Sequence, residues 1–165
     1  MEHWRPPEIG CIKVNADGAF SSVDGCGGGG VVLRDHHGSF VAGACHFFPF
    51  VADPEQAELL ACRQGVVLAR ELNKDRVELE TDSLNAVLKL QSTERDLSVN
   101  GPLVEEIKEL FQEFVSVSVK HVRRSCNEIA HRIASDGCRN KLCNTWVHAP
   151  PGYVVNLLAS ECAGI

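Results

Sequence analysis

The chain has 165 residues, 44% hydrophobic and 23% charged, enough for one domain that buries its own core. No apolar run approaches the ~20 residues that cross a bilayer as a helix, so a membrane-spanning helix is excluded. The formal net charge of −6 argues against a simple basic surface for a polyanion, yet carboxylates that hold divalent cations add negative charge while attracting phosphate.

Residues 1–10 (MEHWRPPEIG) are rich in turn formers and lack both periodicity and the apolar stretch of a secretory signal. They read as an arm leading into an intracellular domain. Residues 11–19 alternate Ile12, Val14 and Ala16 with Lys13, Asn15 and Asp17, the period of a strand with a carboxylate near its end. Residues 21–30 read as a glycine-dense turn. Val31, Val32 and Leu33 then start a second strand that stops at the hairpin signal Arg34-Asp35-His36-His37-Gly38, with a third strand over 39–48. No Lys-Ser or Lys-Thr follows Gly27 to Gly30, so close backbone packing explains that run better than a phosphate loop.

From Pro54 the pattern becomes helical, with Asp53 placed to cap. Glu58 shares a face with the small residues Ala61, Cys62, Gly65 and Ala69, a stripe that lets the helix lie close to a sheet and brings Glu58 toward Asp17. A short strand over 76–80 ends just before Asp82, followed by a helix over 83–91, an amphipathic helix over 103–114, a strand over 115–122 and a last helix from about Asn127. This order predicts an α/β domain over 11–137, with helices on both faces of a mixed five-stranded sheet, and a tail over 138–165 packed on it. A monomer is expected, and the eight cysteines are expected as free thiols. Cys126, Cys138, Cys143, Cys162 and His148 lack the paired spacing of a zinc site.

Asp17 at a strand end, Glu58 on a small-residue helix face and Asp82 between a strand and a helix stand where carboxylates need partners. Hard divalent cations are such partners, although Asp82 could equally cap the helix after it. The segments KVNADGAF, AELLA, ELETDS and NEIAHRIA, in this order, resemble the ribonuclease H superfamily, and most closely the plant ribonuclease H-like domains also found in non-LTR retrotransposon polyproteins. The resemblance implies hydrolysis of the RNA strand of an RNA/DNA hybrid with two magnesium (or manganese) ions. It places Asp17, Glu58 and Asp82 among the metal ligands.

The fourth position of that set, usually an aspartate, is His131, either a ligand or a histidine without catalytic duty. Asn15, Gly18 and Asn127, within these motifs, and Arg123 and Arg124, in the basic stretch before the last helix, are the candidate nucleic-acid contacts. The histidine loop of the bacterial enzymes is replaced by Arg123-Arg124-Ser125-Cys126, and the basic protrusion has no counterpart, because residues 91–101 hold one arginine, Arg95. A nucleic-acid-binding or protein-interaction module on the same fold is the competing reading, with residues 153–159 of the tail as one docking segment.

Overall fold

The computed structural model describes residues 2–165. Strands β1 (Ile12–Ser21), β2 (Cys26–Arg34) and β3 (Phe40–Phe48) form an antiparallel meander. Helix α1 (Pro54–Glu71) crosses to β4 (Arg76–Thr81), which pairs parallel with β1. Helices α2 (Leu84–Gln91) and α3 (Gly101–Phe111) lead to β5 (Ser116–His121), parallel to β4, and α4 (Glu128–Asn140) follows.

Among the described residues the sheet has six strands, one more than the sequence predicts, in the order β5-β4-β1-β2-β3-β6. The extra strand β6 (Asn144–Val147) comes from the tail and pairs antiparallel with β3. Its four residues alternate too briefly to read as a strand without the β3 edge beside them. Helix α5 (Val155–Cys162) closes the chain. Val154 and Leu158 pack with Ile129 and Ile133 of α4, so these apolar side chains of the tail are already occupied by the chain itself. Among the described residues no helix is long and apolar enough to cross a membrane.

The helices start as their sequences dictate. Asp53 accepts from Gln56 N at 2.7 Å to cap α1, with Pro54 in its first turn. Ser83, not Asp82, caps α2 by accepting from Ala86 N. Asp82 is thereby free of the capping duty that competed with a metal role.

The glycine run is strand rather than turn, and all of β2 is buried. Glycine has little strand propensity, so its pattern hides the element, but helices close on both faces of the sheet and need the room. A Cβ on Gly30 would lie 2.1 Å from Ala130 O and 2.4 Å from Ala134 N, so α4 can rest on the sheet at this distance only over glycine. On the opposite face, α1, α2 and α3 enclose the larger core, with Val14, Val31, Leu59, Val66, Leu79 and Ile107 among its members.

The polar face of β1 is also buried. Lys13 is 5% exposed and Asn15 is fully buried beneath the arm. Trp4 donates through Nε1 to Asn15 Oδ1 at 2.9 Å, Asn15 Nδ2 donates to Glu80 at 3.1 Å, and Lys13 pairs with Glu80 at 3.0 Å. The Arg34 guanidinium lies 3.7 Å from the Trp4 ring and is paired with Glu161 of α5. Both terminal segments thus fasten on one buried arginine.

Candidate active site

Parallel pairing of β1 with β4 ends at Asn15 opposite Glu80. Asp17 and Asp82 each lie two residues beyond that last rung, level with one another where the strands part. Crevices at the carboxyl ends of parallel strands are where open α/β sheets place their ligands. Glu58 arrives from α1 on the approach made possible by Gly18, where a Cβ would sit 2.3 Å from the carbonyl carbon of Ala57. The Gly18 amide donates to Glu58 Oε2 at 3.1 Å, and Thr81 Oγ1 lies 3.4 Å from the same oxygen.

One oxygen from each of Asp17, Glu58 and Asp82 lies within 4.8 Å of the others. Asp17 is the most deeply placed, its side chain 1% exposed, and its Oδ1 is buried with no hydrogen-bond partner among the described residues. An orphaned buried carboxylate oxygen is costly unless a cation or proton meets it. Burial and mutual repulsion disfavour the charged carboxylates here. Burial, reinforced by Asp82, pushes the Asp17 carboxyl up to about 7, against hydrogen bonding from His131. Burial with Asp17 and Asp82 nearby pushes Glu58 up to about 9. Three all-oxygen ligands, mutually repelling and one unpartnered, suit a hard divalent cation.

His131 stands at the edge of this cluster. Its Nδ1 is 2.9 Å from Asp17 Oδ2, so α4 brings it onto Asp17 rather than into the group of three. Arg124, on a single 3₁₀ turn (Arg124–Cys126), pairs through Nε with Asp82 Oδ2 and through Nη1 with His131 Nδ1 at 3.0 Å. Arg123 points elsewhere, 76% exposed and paired with Glu2 at 3.4 Å. His121 Nε2 lies 3.2 Å from the Asp82 carbonyl.

Two sequence candidates for nucleic-acid contact are corrected here. Asn15 is fully buried and spent on Trp4 and Glu80, and Asn127 is 1% exposed, donating to Ala16 O at 3.0 Å. Both hold β1 in place instead of facing solvent. Gly18 serves by admitting Glu58. The sequence reading missed Thr81 as a neighbour of Glu58 and Arg124 as the ion partner of Asp82. The Thr81-Asp82 adjacency offered a signal for the first, but no pattern marks a loop arginine that folds back on an acid.

The model of the reverse transcriptase-like family matches residues 15–137, a span that holds all three acids and His131. An Arabidopsis thaliana protein provisionally named a ribonuclease H protein is 34% identical over 135 residues, covering 82% of this chain and 22% of that protein. The chain therefore spans about a fifth of that relative's length. Ribonuclease H1 of the halophilic archaeon Halobacterium salinarum superposes with a TM-score of 0.67 at 27% identity, covering 76% of this chain and 96% of that one. A ribonuclease H1 recovered from compost by a metagenomic approach, solved with an RNA/DNA hybrid, superposes with a TM-score of 0.70 at 19% identity, covering 79% of this chain and 97% of that one. Family match, motif order and fold agree: the chain belongs to the reverse transcriptase-like family and carries a plant-type domain of the ribonuclease H superfamily.

Proposed function

We propose that this chain is a metal-dependent endoribonuclease that cuts the RNA strand of RNA/DNA hybrids. The observation that carries the reading is the convergence of Asp17, Glu58 and Asp82 within 4.8 Å, with Asp17 Oδ1 buried and unpartnered among the described residues. That the compost ribonuclease H1 was solved with an RNA/DNA hybrid supports the choice of substrate.

Asp17, Glu58 and Asp82 would hold magnesium or manganese, as two ions. When bound, such ions lower the pKa of a coordinated water and stabilise the leaving oxygen of a phosphodiester. The chain's residues prepare the site for this. Gly18 N and Thr81 Oγ1 steady Glu58 Oε2, leaving Oε1 for ligation. His131 holds Asp17 through Oδ2 and so fixes the orientation of its carboxyl group. An imidazole is a poor ligand for magnesium and a better one for manganese, so positioning Asp17 is its first duty and ligation its second. Arg124 is half-exposed at the rim, where a scissile phosphate would arrive. In this reading the catalytic unit is residues 11–137, braced by residues 2–10 of the arm and by the tail over 138–165.

The specific observation favouring a second reading, a nucleic-acid-binding module without cleavage, is His131 itself, which leaves the site one carboxylate short. Cleavage of an end-labelled RNA/DNA hybrid in magnesium and then manganese decides between the two, beside Asp82→Asn and a single-stranded RNA control. Cutting confined to the hybrid and lost in Asp82→Asn is expected. No cutting by folded protein in either metal, with hybrid bound equally well in EDTA, would establish the binding module.

A further inference from the structure

The carboxylate cluster already has a cation against it, supplied by the chain. Arg124 reaches from its short turn to Asp82 with Nε and to His131 with Nη1. The carboxylate side of this pair is fixed, with the Asp82 side chain 12% exposed, whereas the Arg124 side chain is 50% exposed and has open solvent to withdraw into.

The contact on His131 is in conflict with the one that holds Asp17. His131 Nδ1 lies 3.0 Å from Arg124 Nη1 and 2.9 Å from Asp17 Oδ2. A ring nitrogen carries either a proton or a lone pair, and a guanidinium only donates, so Arg124 requires the lone pair. A contact in which Nδ1 donates to Asp17 Oδ2 requires the proton. One nitrogen cannot do both, so the two partners compete for it.

We propose that Arg124 is an exchangeable counter-ion: it neutralises Asp82 while the site holds no metal, is displaced when a divalent ion takes Asp82, and then binds a phosphate of the substrate. The inference rests on the metal-site reading above. The guanidinium fork suits the second task, since it matches two phosphate oxygens at once, and the withdrawal leaves Nδ1 of His131 to donate to Asp17. One side chain thus links filling of the metal site to recognition of the substrate.

The test uses the full chain and two readouts that do not depend on cleavage: manganese binding followed by the electron paramagnetic resonance of free ion, and hybrid binding by fluorescence anisotropy in calcium. For Arg124→Gln, manganese should bind about fivefold more tightly and hybrid about fivefold more weakly, the scale of a half-exposed ion pair. Arg124→Lys keeps the charge but not the fork, and should move both constants in the same senses by about twofold. It serves if the glutamine variant does not fold. A purely structural arginine would weaken both bindings or neither. Manganese affinity unchanged or reduced in both variants, with wild type binding manganese normally, overturns the exchange and leaves the metal site standing. If wild type binds no more manganese than Asp82→Asn does, the metal-site reading fails and the exchange with it.

Discussion

His131 Nδ1 lies 2.9 Å from Asp17 Oδ2, so the residue standing where a fourth acid was expected is hydrogen-bonded to the most buried acid of the site. An imidazole there adds none of the repulsion that a carboxylate would, and it gives the site one negative charge fewer for holding magnesium. His131→Asp should reverse both effects. In EDTA the variant should melt below wild type, and its magnesium affinity should rise about tenfold, as expected when ligand charge increases. Melting curves with and without magnesium check this, and a variant that gains nothing from magnesium would mean that residue 131 does not address the metal.

The acids also set a pH dependence for the metal-free protein. Asp17 and Glu58 titrate at about 7 and about 9 in the folded chain, against ordinary values of 3.8 and 4.5. Both are raised, so the folded state holds protons that the unfolded state has released. Their stabilising contribution is complete below about pH 4 and is lost as pH rises through 7 and then 9. Glu58→Gln, which stays neutral, should therefore gain melting temperature over wild type in EDTA as pH goes from 5.5 to 8.5. A gap that stays flat or closes with pH would contradict the assignment.

Gly30→Ala tests the placement of α4. The added methyl would meet Ala130 O at 2.1 Å and Ala134 N at 2.4 Å, both backbone atoms that cannot turn aside. The helix must lift, at a cost of about 3 kcal/mol in urea unfolding. Because α4 carries His131, the hybrid cleavage proposed above should fall further than the folded fraction does.

Trp4→Ala tests the arm. The side chain is 3% exposed, donates to Asn15 and stacks on Arg34, whose Nε is buried without a partner. Its loss should cost about 3 kcal/mol or more, followed by far-ultraviolet circular dichroism. A cost under about 1 kcal/mol, the range of ordinary surface changes, would show that the arm contributes little.

The three acids were legible because each stands at a junction the sequence marks: β1 alternation, the small-residue face of α1, and the end of β4. Their convergence follows from a parallel register that sets Asp17 and Asp82 equally far past the last rung. Sequence periodicity alone cannot supply that register, and here the motif order stood in for it. The glycine-rich start of β2 was illegible because the demand for small residues comes from α1 and α4 together. Asn15 and Asn127 misled for a related reason, since polar residues beside a candidate catalytic acid are as useful for bracing a strand as for touching substrate. Arg34 sat inside a hairpin signal, and its burial depends on Trp4 and Glu161, 30 residues before it and 127 after.

The sixth strand also changes how the molecule meets its neighbours. Nine-residue β3 would otherwise present an open edge of amides and carbonyls on which another chain could template itself. Residues Asn144–Val147 cover part of it, and the opposite border is six-residue β5, with Lys120 and His121 exposed near its end. A short, charged border is a poor template for edge-to-edge stacking. Removal of β6 should therefore appear first as self-association at high concentration, with the carboxylate site still intact.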